Sequence, residues 1–196
     1  MFARVVGLLS HQVLSAVGRT VLGANCLAGL TRPVSHGLIA AMMIVINPSD
    51  GTPLHNEFQA VVQVRAAHTN GALAAIEQVV PPRRLIPPHV HENDVWVYVI
   101  SGEIGILVGE EIAHAGPGCW ALKPRRVVHA MWNRGDIGAR IIEVLTPAGT
   151  ERWFEEIAAL ASGDATGFEE ACRRHGIQFF RDSPWIAELR QRFGLR

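Results

Sequence analysis

Cysteine is scarce in this chain of 196 residues, and its three cysteines form no CxxC pair. An odd number of widely spaced cysteines suggests neither a disulfide framework nor a cysteine-based zinc site. It also favours a reducing compartment, so we expect a cytoplasmic protein. The three residues are Cys26, Cys119 and Cys172.

Long apolar runs and an excess of charge are also missing. No stretch reaches the roughly 18 uninterrupted apolar residues of a membrane-spanning helix. The formal net charge is +0, which gives nucleic acid no electrostatic reason to bind. We therefore expect neither a membrane nor a nucleic-acid partner.

Lysine is nearly absent, because Lys123 is the only one in the chain. We interpret this as the coding bias of a GC-rich genome, in which arginine replaces lysine, and assign no function to it.

The first 49 residues contain arginine but no acidic residue, unlike the rest of the chain. We predict that residues 1–41 are an N-terminal extension, either a leader segment or sequence that precedes a true start at Met42 or Met43. Residues 42–148 are predicted to form a β-barrel domain, and residues 149–196 a helical segment.

Short β-type runs separated by glycine-rich turns dominate the middle of the chain, which predicts hairpins in an antiparallel sandwich or barrel. Alternation predicts that Val95, Val97 and Val99 share the inner face with His91, while Trp96 and Tyr98 face outward. The candidate strands are 57–66, 72–80, 95–100, 104–108, 111–114, 119–122, 128–132 and 139–145.

Beyond Pro147 the apolar period changes from two to about 3.6 residues, which predicts helices. Thr150 is a candidate N-cap for the first helix. Thr166 and Glu169 have capping-box spacing for the second. Ser183 and Pro184 are expected to open the last helix.

Histidines occur at spacings that bring imidazoles together. His89 and His91 lie two residues apart, so in a strand their rings point to the same face. Imidazole nitrogens are ligands that suit iron, nickel, copper and zinc, whereas a carboxylate ligand shifts the preference toward manganese.

A second motif follows this pair. Gly118, Pro124, His129 and Asn133 match the pattern G(x)5PxG(x)2H(x)3N, except that Arg126 replaces its second glycine. This is the second box of the cupin superfamily, which the chain therefore resembles.

The first cupin box, G(x)5HxH(x)3–4E(x)6G, is matched by His89, His91 and Gly102. Arg83 stands in place of its first glycine, and Val95 stands in place of its glutamate.

Two longer phrases, VVHAMWN and TPAGTERWFEE, are similar to small single-domain cupins described as quercetin dioxygenase-like. The resemblance implies an all-β double-stranded β-helix, a jelly-roll barrel, with C-terminal helices. It also implies a homodimer, because related barrels commonly pair through their sheets.

The resemblance implies a divalent transition metal held by His89, His91 and His129. Iron is the expected ion, with manganese, nickel, copper and zinc as alternatives. The implied activity is that of a metal-dependent, dioxygenase-like oxidoreductase acting on a small organic substrate. A metal-free barrel that binds a small ligand or has a regulatory role is the alternative, and both interpretations stay open here.

Two carboxylates are candidates for the catalytic base that the missing glutamate would otherwise supply. Asp94 has the opposite strand parity to Val95, so it would need a β-bulge to point inward. Glu77 lies in the apolar run 72–80, where it faces either the pocket or the solvent.

Overall fold

A computed structural model describes residues 45–196, and the predicted extension over residues 1–41 lies outside them. No helix in the described part is long and apolar enough to cross a membrane. The strands are β1 (Thr52–Pro53), β2 (Val61–Val64), β3 (Ala74–Val80), β4 (Leu85–Val90), β5 (Asp94–Ser101), β6 (Ile104–Val108), β7 (Glu111–Ala115), β8 (Trp120–Lys123), β9 (His129–Trp132), β10 (Ala139–Thr146) and β11 (Gln178–Phe179). The helices are α1 (Glu151–Ala158), α2 (Ala165–Arg174) and α3 (Pro184–Phe193).

The strands form two antiparallel sheets. The six-stranded sheet has the order β1-β2-β3-β10-β5-β8, and the five-stranded sheet has the order β11-β4-β9-β6-β7. Apolar residues of both sheets, including Ile76 and Ile141 from the first and Ile104 and Met131 from the second, form one buried core. The predicted all-β double-stranded β-helix with C-terminal helices is confirmed.

Strand β5 shows the predicted alternation. Val95, Val97 and Val99 are buried in the core, whereas Trp96 is 43% exposed on the outer face. Position 95 therefore points into the barrel, as a residue on the inner face must.

Strand β4 was missing from the predicted strands, although it carries His89. Its Pro87 and Pro88 have no backbone N–H to donate, and prolines argue against a strand in sequence. The chain accommodates them because the register of β4 against β9 shifts between Ile86 and His89. On its other side, β4 pairs with β11 only at His89 and Val90.

The helices lie where the sequence predicts them, but the predicted capping interactions of Thr150 and Thr166 do not form. Helix α2 begins at Ala165, and its cap is Asp164, whose carboxylate accepts a hydrogen bond from the Gly167 amide at 2.9 Å. The predicted capping box at Thr166 is therefore wrong, since Thr166 lies inside the helix. Pro184 opens α3 as expected.

Thr150 precedes α1 as predicted, but its hydroxyl makes no cap. Instead, Thr150 Oγ1 donates to Asn93 Oδ1 at 2.8 Å. This bond joins the start of α1 to the loop between β4 and β5. Helix α1 is thereby held beside the chain that carries the first two histidines.

Two arginines occupy glycine positions of the cupin boxes and keep a glycine-like backbone. Arg83 has φ 59° and Arg126 has φ 61°, both in the left-handed region. A side chain is disfavoured there by about 1–2 kcal/mol. The left-handed turn before β9 is also held by a hydrogen bond from the Arg126 amide to the His91 carbonyl, at 2.9 Å.

We predict that Arg126→Gly raises the free energy of unfolding by up to about 1 kcal/mol, because glycine removes the left-handed strain. The neighbouring Arg125 is the matched control. Each of the two arginines is exposed and forms an ion pair, Arg126 with Glu92 and Arg125 with Asp94. Arg125→Gly should lower stability, since Arg125 lies outside the left-handed region. Chemical denaturation measures both, and destabilisation by Arg126→Gly would contradict the assignment of strain.

Candidate metal centre

Three histidines meet inside the barrel. His89 is the penultimate residue of β4, His91 directly follows the strand, and His129 opens β9, which pairs with β4 at His89. All three are buried, and one ring nitrogen of each lies within 4.8 Å of those of the other two. Within residues 45–196 this is the one group of three or more histidine, cysteine or acidic side chains close enough to share a metal ion.

Each ring is oriented by a backbone carbonyl. The Nδ1 atoms of His89, His91 and His129 lie 2.8, 2.7 and 2.8 Å from the carbonyl oxygens of Pro87, Asn93 and Val127, respectively. A carbonyl oxygen only accepts, so each Nδ1 carries a proton and donates it. In a neutral ring, Nε2 is then left with a free lone pair.

Those lone pairs converge. His89 Nε2 and His129 Nε2 are 3.2 Å apart, and neither has a proton to share. Buried His91 Nε2 has no hydrogen-bond partner among the described residues. Unpaired buried acceptors that face one another are unfavourable unless a cation lies between them.

Burial keeps the rings neutral. It lowers the pKa of His89 to about 3 and that of His91 to about 4, and the positive charge of Lys123 adds to both effects. The pKa of His129 is also lowered, first by burial and then by the charge on His89. Neutral imidazole is the form that binds a metal.

These observations fit a transition metal. Two imidazole nitrogens that bind one ion at about 2.1 Å are expected to lie roughly 3 Å apart, close to the 3.2 Å between His89 Nε2 and His129 Nε2. A backbone carbonyl on the second nitrogen of each ring is also usual for metal-binding histidines. Phe179 stacks on the His89 ring, with the ring centroids 5.0 Å apart, and limits its rotation.

The structure does not bring Asp94 to the histidines. Its carboxylate accepts hydrogen bonds from the amide and the guanidinium of Arg125, and these bonds lower the pKa of Asp94. Successive residues of a strand point to opposite faces. Val95 points inward and β5 has no bulge at this point, so the preceding Asp94 points outward.

Glu77 also lies apart from the histidines. It pairs with Arg140, while its neighbours Ile76 and Gln78 are buried on the other face of β3. Glu77 therefore belongs to the outer face of the sheet. A catalytic role for Asp94 or Glu77 stays a prediction. Neither carboxylate lies where it could reach the histidines, so their positions do not favour that role.

Another carboxylate, which the sequence reasoning missed, lies near the cluster. Glu143 is 2% exposed and accepts a hydrogen bond from Lys123 Nζ at 2.5 Å, so the only lysine of the chain forms a buried ion pair. A signal was present in the sequence, because Glu143 alternates in step with Ile141 and Leu145 on β10. Lys123 thus has a structural role that its interpretation as coding bias did not anticipate.

Asn133 of the second box shapes the loop after β9. Its Nδ2 donates to the carbonyls of Val80 and Ile137, and its Oδ1 accepts from the Gly135 amide. It supports the end of the strand that carries His129, and it does not line the metal site.

A cavity of about 590 Å³ adjoins the histidines. His89, Lys123 and Glu143 line it, and the same three residues line a small recess of about 30 Å³ that includes His91. A molecule in the cavity can therefore approach both the histidines and the ion pair.

Several solved structures are similar to part of this chain. KdgF from Halomonas sp. is 18% identical over 53% of this chain and 92% of its own, with a TM-score of 0.45. A mutant of the Bacillus subtilis oxalate decarboxylase OxdC is 19% identical over 50% of this chain but 28% of its own, with a TM-score of 0.44. A Klebsiella pneumoniae protein described as having a double-stranded β-helix domain is 23% identical over 50% of this chain and 83% of its own, with a TM-score of 0.42. No curated protein matches the chain.

Fold and site together define a double-stranded β-helix with a histidine cluster inside it. The family model of the cupin domain matches residues 76–145, which include β4, β9 and all three histidines. Residues 76–145 of the chain thus form a cupin domain.

We predict that the metal-free protein loses stability as the pH falls from 7.5 to 5. Above pH 6.5 the three rings are neutral in both the folded and the unfolded chain. Below it, the unfolded chain takes up protons that the folded one does not, because the folded pKa values of His89 and His91 are about 3 and 4. The free energy of unfolding must then decrease.

Thermal unfolding of the chelator-treated protein at the two pH values measures this loss. His129→Gln, which removes one titrating ring, should show a smaller decrease. A melting temperature that is equal or higher at pH 5 would contradict the prediction.

Proposed function

We propose that this protein is a cupin metalloprotein that holds one divalent transition metal through His89, His91 and His129. The observation that carries the proposal is the close approach of two unprotonated nitrogens, His89 Nε2 and His129 Nε2, at 3.2 Å. His91 Nε2 supports it, because this buried atom has no other partner among the described residues. One cation satisfies all three.

Iron is the ion that we propose. Three neutral imidazoles suit iron, nickel, copper or zinc, and the cluster offers no carboxylate that would favour manganese. A bound iron ion supplies Lewis acidity and an electron for dioxygen, which is the chemistry of a dioxygenase-like oxidoreductase.

The chain's own residues prepare the site for a small organic substrate. The carbonyls of Pro87, Asn93 and Val127 fix the three rings before any ligand arrives, so little reorganisation is needed. Apolar side chains of α1 and β11 line part of the adjoining cavity. A substrate that enters the cavity lies next to His89.

The alternative is a metal-free barrel that only binds a ligand. The same cavity would serve it, but such a barrel leaves the three Nε2 acceptors buried without partners. For this reason we favour the metalloprotein.

Metal analysis tests the proposal. The purified protein, reconstituted with Fe(II) without oxygen, should contain close to one equivalent of iron. His129→Ala should lose most of it, because two nitrogens bind less tightly than three. His175→Ala is the matched control. His175 follows α2 and contacts Glu156 of α1, away from the cluster, so this variant should leave the iron content unchanged. Less than about a tenth of an equivalent of any transition metal in the reconstituted wild type would refute the metalloprotein.

We also propose that the protein is a homodimer that pairs through the outer face of the six-stranded sheet. Trp96 and Trp120 are 43% and 57% exposed there, on the neighbouring strands β5 and β8. Exposed tryptophans are enriched at protein interfaces. Trp120→Glu should convert a dimer to a monomer in light scattering, whereas Ile137→Glu, at an exposed position in the β9–β10 connection, should not. A monomeric wild type would refute the dimer.

A further inference from the structure

The cavity beside the histidines has a mostly apolar wall. Its volume of about 590 Å³ lies within the range of pockets for small organic ligands. Aromatic and aliphatic side chains supply most of the wall, so its occupant has an apolar body. They include Phe58, Trp153, Phe154, Ile157, Phe168 and Phe179.

The charged side chains that line the cavity form two ion pairs of opposite charge. Arg84 pairs with Glu57 at an exposed position, and Lys123 pairs with Glu143 in the interior. No charge of the described lining is left without a counterion, so the body of the occupant need not be charged.

The buried pair sits where the cavity meets the histidines. In the sheet register, Lys123 lies beside Val95 and Glu143 lies beside Val97, so the two side chains come from opposite sides of β5. Because Val95 is short, the Lys123 side chain can reach diagonally across it to Glu143. Both residues line the cavity and the recess that contains His91.

The Lys123–Glu143 pair keeps donors and acceptors that could bind a ligand. Lys123 Nζ donates to Glu143 Oε1, and the structure gives Glu143 Oε2 no donor among the described residues. Two of the three protons on the Lys123 ammonium are likewise left for other acceptors. Since a buried ion pair contributes little net stability compared with apolar residues, its presence beside a cavity points to ligand binding.

We propose that the cavity binds a neutral organic molecule with an apolar body and a hydroxyl or enol head group, and that Glu143 accepts the hydrogen bond of this head group. Lys123 holds the carboxylate in place. The inference deepens the proposed metal function, because it names the substrate class of that site. Recognition by Glu143 does not itself require the metal.

Two probes that differ at the head group test the proposal. The compounds 4-phenylphenol and 4-methoxybiphenyl share an apolar body, but only the phenol donates a hydrogen bond. Calorimetry with the metal-free protein should show that the phenol binds about tenfold more tightly or better, as expected for a hydrogen bond to a buried charge. The zinc-loaded protein should keep this preference.

A double variant removes the pair without leaving a buried charge. Lys123→Met with Glu143→Leu should fold, since apolar side chains of similar size replace buried ion pairs well. It should bind both probes with affinities within about twofold of each other. The matched control is Arg134→Met with Glu103→Leu, which removes an exposed ion pair away from the cavity lining and should keep the wild-type preference.

Three outcomes would overturn the proposal: no binding of either probe to the wild type, a wild-type preference below about twofold, or the full preference in the Lys123 and Glu143 double variant. Because the preference is measured without metal, its loss is separable from failure of the metal site. The iron content of the wild type reports on that site alone.

Discussion

The orientation of three imidazole rings by three backbone carbonyls is the constraint on which the site depends. Each carbonyl takes the proton of Nδ1, so each ring must present an unprotonated Nε2 to the interior. Burial then prevents the rings from gaining a second proton, as the low pKa values of His89 and His91 show. The result is a set of three buried Nε2 lone pairs that a bound cation would stabilise.

The barrel brings two of the three rings together through the pairing of β4 with β9. His89 and His129 lie opposite each other in the register, and the turn at Arg126 donates back to the His91 carbonyl. This turn needs a left-handed backbone, which the chain forms with arginine although glycine adopts it more easily. The scaffold therefore tolerates local strain near its histidines.

Much of the fold could be predicted from the sequence, because alternation on β5 and β10 and the glycine breaks are local signals. The cluster of His89, His91 and His129 was predictable from spacing and family resemblance. Strand β4 was missed because prolines disfavour strands, and only its partner strands make it one. The Lys123–Glu143 pair was missed because it depends on the register of two strands on either side of β5, which no local pattern specifies.

The central claim is that one divalent ion is bound by the Nε2 atoms of His89, His91 and His129. The most direct test is a crystal structure of the protein reconstituted with Fe(II), with anomalous diffraction measured at the iron edge. The account predicts a single strong anomalous peak in contact with all three Nε2 atoms, while each Nδ1 keeps its carbonyl partner. A peak elsewhere, or rings turned so that Nδ1 contacts the ion, would contradict it.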